Sequence, residues 1–195
     1  MSTGAVLLAA GGSTRLGQPK QLLKIDGESL VHRSARTLLA ASVRPVVVVL
    51  GAHAEDCAGQ LNDLPVQIAL NPRWQEGLAS SIRIGVAELR KRPGVTAAVL
   101  ALCDQPFLES TLIEALIAEH TAKAHPVVAS LYQGIAGVPA LFSERCFDDL
   151  AALEGEAGAR KVIAKYSAES SAVPFPGGEV DIDTAEDWSK LSANH

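Results

Sequence analysis

Five apolar runs of strand length recur along this 195-residue chain: AVLLAA from Ala5, PVVVVLG from Pro45, VQIAL from Val66, TAAVLALC from Thr96 and PVVASL from Pro126. They are continuous rather than alternating. Successive side chains of a strand point to opposite faces, so strands of this kind have to be covered on both sides. The segments between them carry helical periodicity: Leu30, Ser34, Leu38 and Leu39; Ile82, Val86 and Leu89; Leu112, Leu116 and Ile117. Strands alternating with amphipathic helices predict an α/β fold, with a mainly parallel central sheet between two helical layers. The length suits one hydrophobic core, and residues 1–195 are read as a single domain.

The pattern loosens after Leu131. YQGIAGVPALF, the helix-like ERCFDDLAAL, the glycine-containing GEAGAR and a helix through Val162, Ile163 and Tyr166 suggest a small part with antiparallel strands or a substrate lobe. In the last segment, VDIDTAEDWSKL, Thr184 is placed as an N-cap with Glu186 and Asp187 in the first turn, which predicts a terminal helix.

Charge and cysteine usage exclude several function classes. With 17 Lys plus Arg against 22 Asp plus Glu, the formal net charge is -5, and no broad positive field attracts nucleic acid. An anionic ligand would need focused cations, backbone N–H donors or a metal ion. Three cysteines without C-x-x-C spacing argue against a disulfide framework or thiolate metal site, and the start MSTGAVLLAAGG is too short an apolar stretch for a signal peptide or membrane span. A cytoplasmic protein with no membrane partner is expected.

The loop LAAGGSTRLGQPKQLL after the first strand supplies what the net charge lacks. It lies at a strand's carboxyl end, where open α/β sheets bind ligands. Gly11, Gly12 and Gly17 let the backbone adopt positive φ and approach a ligand closely, Ser13 and Thr14 add hydroxyls, and Arg15 and Lys20 bring charge suited to phosphate oxygens. Ser13 and Leu16 stand where the later glycines of a dinucleotide fingerprint belong, and Gln18-Pro19 replaces the Lys-Ser/Thr of a P-loop. A plain glycine-rich turn with two solvated cations is the simpler alternative.

LAAGGSTRLGQPKQLL resembles the N-terminal motif of the nucleotidyltransferases related to molybdenum cofactor cytidylyltransferase and guanylyltransferase, the MobA/MocA-like family. Leu16 stands in place of the usual Met, and the Ala9-Ala10 pair is similar to the cytidylyl rather than the guanylyl branch. The resemblance implies a three-layer, Rossmann-like fold, with the loop from Ala9 through Ser13 wrapping the nucleotide, Arg15 on phosphates and Lys20 on the α-phosphate. NPRWQEGLASSI is similar to another block of the family, which makes Asn71, Gly77, Ser80 and Ser81 nucleotide-binding candidates. Trp74 could cover a ring or simply anchor the core.

Asp104 ends the run TAAVLALC, where a carboxylate could hold Mg²⁺ or serve only as a turn-former. CDQP is similar to the family's metal-binding D-x-P, and DIDTAED to its D-[IV]-D-T-P-E-D. The resemblance therefore implies Mg²⁺, or Mn²⁺, on Asp104 and on Asp183, with Asp181 the second choice. GVPALF and GEAGARKVI resemble acceptor-facing segments, giving Gly137, Pro139, Gly158 and Arg160, although Val138 and Glu156 depart from the usual His and Asp. The implied activity transfers a nucleoside monophosphate, CMP from CTP by preference, to the terminal phosphate of molybdopterin or molybdenum cofactor, with hand-off to a molybdoenzyme or its chaperone. Three alternatives stay open: GTP as donor, a sugar or polyol phosphate as acceptor, and a non-catalytic nucleotide or cofactor carrier.

Overall fold

The computed structural model describes residues 2–182 and 184–192. The chain alternates strand and helix as β1 (Ser2–Ala9), β2 (Lys24–Ile25), β3 (Glu28–Ser29), α1 (Leu30–Ala40), β4 (Val46–Leu50), α2 (Ala54–Gly59), β5 (Gln67–Leu70), α3 (Leu78–Arg90) and β6 (Val95–Leu102). There follow α4 (Ser110–Lys123), β7 (Val127–Tyr132), β8 (Ile135–Ser143), α5 (Phe147–Ala151), α6 (Arg160–Lys165), β9 (Ser170–Pro174) and α7 (Ala185–Ser192). Seven strands form one sheet in the order β5-β4-β1-β6-β8-β7-β9, and β2 pairs with β3 in a separate small hairpin.

β1 is parallel to both β4 and β6, and β4 is parallel to β5. β8 runs antiparallel between β6 and β7, while β9 is parallel to β7. The antiparallel part expected beyond Leu131 is therefore the β7–β8 hairpin, built into the main sheet.

Period-two geometry divides the apolar runs between two cores. Ala5, Leu7, Ala9, Val46, Val48, Leu50, Ala97, Val99 and Ala101 pack with Val31, Ala35 and Leu38 of α1, Cys57 of α2 and Leu112, Ile113 and Leu116 of α4. The intervening residues Val6, Leu8, Val47, Val49, Ala98 and Leu100 pack on Ile82, Val86 and Leu89 of α3, Leu150 of α5 and Val162 of α6. Burying each large aliphatic side chain favours this arrangement by about 1.5–3 kcal/mol, which is why neither face of the central strands tolerates an alternating pattern.

A third, smaller core joins Leu16, Leu23, Ile25 and Leu30 to Ile182 and Leu191, so Ile182 and α7 seat against the loop that follows β1. Thr184 caps α7 reciprocally: its Oγ1 accepts the Asp187 N–H at 3.2 Å, and its own N–H donates to Asp187 Oδ2 at 2.9 Å. Such caps contribute about 1 kcal/mol.

From β1 the chain first winds through α1 to β4 and β5 on one side, then returns through α3 to β6 on the other. The carboxyl ends of β1 and β6 therefore flank a topological switch point, where a crevice opens in sheets of this kind.

Candidate active site

A cleft of about 630 Å³ occupies that crevice, lined by Leu8 through Arg15, Lys20, Gln21, Trp74, Gln75, Gly77, Leu78, Ser81, Leu102, Cys103, Asp104 and Glu156. Of the nucleotide candidates, Ala9, Ala10, Gly11, Gly12, Ser13, Arg15, Lys20, Gly77 and Ser81 line it, as does the metal candidate Asp104. Asn71 and Ser80 stand behind the wall. The Asn71 carboxamide donates to Ser80 Oγ at 2.8 Å and Ser81 Oγ at 2.9 Å, and Ser80 Oγ donates to Gly77 O at 2.8 Å. Their network fixes the turn into α3 from below.

Gln21, on the short 3-10 turn Lys20–Leu22, organises the loop after β1. It is fully buried, and its Nε2 donates to Ala9 O at 3.1 Å and Gly11 O at 2.7 Å. Ser13 Oγ lies 3.3 Å from Gln21 Oε1 and accepts the Lys20 N–H at 3.0 Å, which closes the loop onto the residue carrying its ammonium group. Only one of the three loop glycines uses its freedom to take positive φ. Gly17 has positive φ, but so does Ser13, at 51°, whereas Gly11 and Gly12 do not. Gly12 is required for space: a Cβ there would lie 2.9 Å from two ring atoms of Trp74. Gly77 meets both demands, with φ 98° and the Gly155 backbone where its Cβ would be.

Lys20 Nζ pairs with Asp104 Oδ2 at 2.5 Å, and the two side chains are only 17% and 12% exposed. The second carboxylate oxygen, Oδ1, is buried without a hydrogen-bond partner among the described residues. An unsatisfied buried acceptor of this kind costs about 1–3 kcal/mol, and such groups concentrate where a ligand or ion completes them. Burial pushes the neighbouring Cys103 thiol well above its ordinary value, with the Asp104 charge adding to the effect, so this cleft cysteine is no nucleophile.

The Asp104 carbonyl accepts the Ile182 N–H at 3.2 Å, which brings Ile182 beside the end of β6. Ile182 is fully buried; Asp181 is exposed and does not line the cleft. Asp183 lies outside the described residues.

The acceptor candidates stand apart from the cleft lining. Gly137 and Pro139 are on β8, and the Pro139 carbonyl accepts Ser130 Oγ at 2.5 Å inside the sheet. Arg160 donates to the Tyr132 hydroxyl at 3.0 Å, and a Cβ on Gly137 would run into that same hydroxyl. Gly158 packs on Leu78. Gln105, next to Asp104, ties this region to the cleft by donating to Val138 O at 3.1 Å and Gly178 O at 3.3 Å. Gln21, Tyr132 and Glu156 escaped selection as site candidates. The one available signal for Gln21 was its place in the P-K-Q-L-L run, a polar residue leading into two leucines.

Glycine-loop amides, two cations and a half-satisfied carboxylate at a switch point define a phosphate-handling α/β enzyme. A family model for the MobA-like NTP transferase domain matches residues 5–170. The chain belongs to that family and is a nucleotidyltransferase. It is 30% identical to the purine catabolism protein PucB of Bacillus subtilis (strain 168) over 95% of this chain and 94% of PucB. It is 39% identical to the nicotine blue oxidoreductase of Paenarthrobacter nicotinovorans, over 59% of this chain and 55% of that protein. Among solved structures, Rv0371c of Mycobacterium tuberculosis H37Rv is similar with a TM-score of 0.87 and 26% identity, covering 99% of this chain and 98% of the other. Rv0371c is also known as a complex with manganese, similar to this chain with a TM-score of 0.83 and 24% identity over the full length of both.

Proposed function

We propose that this nucleotidyltransferase moves CMP from CTP to the terminal phosphate of molybdopterin or its molybdenum-bearing form, releasing pyrophosphate. The observation carrying this reading is the convergence of Arg15, Lys20 and Asp104 on one cleft beneath the glycine-rich loop. Ala9-Ala10, similar to the cytidylyl branch, favours CTP. Glu156, a cleft carboxylate, suits a base bearing an exocyclic amino group.

An acceptor phosphate oxygen attacks the α-phosphorus in line, a new P–O bond forms, and the bond to the β-phosphate bridging oxygen breaks. The loop amides and Arg15 hold the triphosphate. Lys20 exchanges Asp104 for a non-bridging α-phosphate oxygen, where negative charge builds during transfer. Asp104 fits a divalent cation, since Oδ1 is already desolvated and unpartnered; Asp183, or Asp181, would supply a second carboxylate, and Mg²⁺ or Mn²⁺ there would offset triphosphate charge. The product then passes to a molybdoenzyme or its chaperone.

A second reading keeps the chemistry and changes the acceptor to a sugar or polyol phosphate. It draws on the position of Gly137, Pro139, Gly158 and Arg160 outside the cleft lining. Incubation with each common NTP, Mg²⁺ and either molybdenum cofactor or a panel of sugar and polyol phosphates, with products identified by mass, separates the two. A cytosine dinucleotide of the pterin is the expected product. A nucleotide sugar formed in its place would overturn the pterin assignment.

A further inference from the structure

The backbone of Ala9–Thr14 is sorted by polarity. Four of its carbonyls, those of Ala9, Ala10, Gly11 and Ser13, are engaged on the protein side: Ala9 O and Gly11 O by Gln21 Nε2 at 3.1 and 2.7 Å, Ala10 O by the Ala52 N–H at 3.0 Å. Ser13 O accepts the Leu16 and Gly17 N–H groups at 3.1 and 3.2 Å. The amides of Gly11, Gly12, Ser13 and Thr14, by contrast, donate to no acceptor among the described residues, and all four residues line the cleft. Consecutive amides left without internal acceptors form a concavity suited to an anion.

One side chain supplies much of this sorting. Gln21 is fully buried, brings exactly two Nε2 protons, and spends both on carbonyls separated by one residue. Without those donors, the oxygens of Ala9 and Gly11 would be left desolvated or would turn toward the open cleft, and the amides of the same peptide units would rotate away from it. A carbonyl oxygen facing a triphosphate repels it.

We infer that Gln21 is a positioning residue for nucleotidyl transfer: by holding the Ala9 and Gly11 carbonyls it aims the loop's amide donors at the triphosphate. With both Nε2 protons committed to backbone carbonyls, it acts through the loop rather than as a donor to the reacting phosphates. The inference rests on the reading of this cleft as the triphosphate site, and the experiment separates the failure of one from the failure of the other.

Gln21→Met keeps length and removes both donors; Gln21→Glu keeps shape and the acceptor but also removes the donors. Both are compared with wild type for KM of the NTP, kcat, pyrophosphate affinity by calorimetry and thermal midpoint. Pyrophosphate affinity should fall and KM should rise about ten- to a hundredfold in both variants, with a smaller change in kcat for the folded fraction. A purely structural role would lower the thermal midpoint but leave KM and pyrophosphate affinity of the folded fraction unchanged, and that result overturns the inference. Amide resonances of Gly11 to Thr14 in the wild-type protein give a check that does not depend on how the variants fold. They should shift on pyrophosphate addition, and binding without such shifts refutes the role assigned to Gln21. Wild type that binds no pyrophosphate at all would overturn the cleft assignment, and the inference with it.

Discussion

Replacing Lys20 by Met separates what the Lys20–Asp104 pair does for the fold from what it does for chemistry. At a charge separation of about 3–4 Å and an effective dielectric near 20, the Coulomb attraction is about 4–6 kcal/mol, most of it offset by desolvation of both groups. Removing Lys20 alone leaves a carboxylate that is 12% exposed, with neither oxygen partnered by that ammonium. The open cleft lets water reach it, so the net cost is expected at about 1–3 kcal/mol, or a drop in thermal midpoint of about 2–12 °C for a chain of this size. The double variant Lys20→Met/Asp104→Asn removes the stranded charge and should regain a large part of that loss. Turnover behaves differently: either single change and the double change should each reduce kcat about a hundredfold or more, with a smaller effect on KM. Thermal denaturation combined with single-turnover pyrophosphate release reads both quantities. A double variant no more stable than Lys20→Met, or one that recovers turnover, would rule out this division of roles.

Three further outcomes are expected. Gly12→Ala forces a methyl against the Trp74 ring, so nucleotide affinity should fall; Trp74→Phe in the same chain should give less than the sum of the two single losses in a double-mutant cycle. The cluster at the start of α1 makes stability depend on pH. A hydrogen bond from Arg36, aided by His32, lowers Glu28 to about 2 against the opposing effect of burial, a contribution present above the ordinary carboxylate range and lost as pH falls toward 2. Burial works against protonated His32, but bonds to Glu28 and Asp63 outweigh it and raise its pKa, so its contribution is complete below the ordinary imidazole value and lost as pH rises through the raised one. His32→Gln should therefore cost more in thermal midpoint at about pH 5.5 than at about pH 9, and equal losses would remove the charged-imidazole explanation. Finally, burial raises the thiols of Cys57 and Cys146 to about 11, and Cys103 upward as well, so native protein should react with a thiol reagent only on the timescale of opening; rapid labelling of Cys103 would contradict its burial.

The central strands were legible because burial on both faces leaves an unmistakable apolar run, as in Val46–Leu50 and Val95–Leu102. Strand direction was not legible in the same way. Nothing in IAGVPALFS distinguishes a strand inserted antiparallel between β6 and β7 from one in a separate lobe, because direction is decided by a connection only two residues long. α2 passed unnoticed: six residues with a single buried apolar position, Cys57, carry too little periodicity to detect. Within the site, the loop, Lys20 and Asp104 stood out by residue type and spacing. Gln21 did not, since its partners lie ten and twelve residues back and its role depends on which way two carbonyls point. Motif reading likewise could not separate Ser81, in the wall, from Ser80 and Asn71 behind it; Ser80 and Ser81 are equally buried, and only the packing of α3 decides which of the two faces the cleft.

Pyrophosphate release from CTP, with Mg²⁺ and molybdenum cofactor present and Asp104→Asn as the control, decides whether this cleft carries out cytidylyl transfer. Release should require all three components, fall sharply with GTP in place of CTP, and be lost in the control. No release from a wild-type protein that binds CTP tightly, or release undiminished by Asp104→Asn, would contradict that assignment.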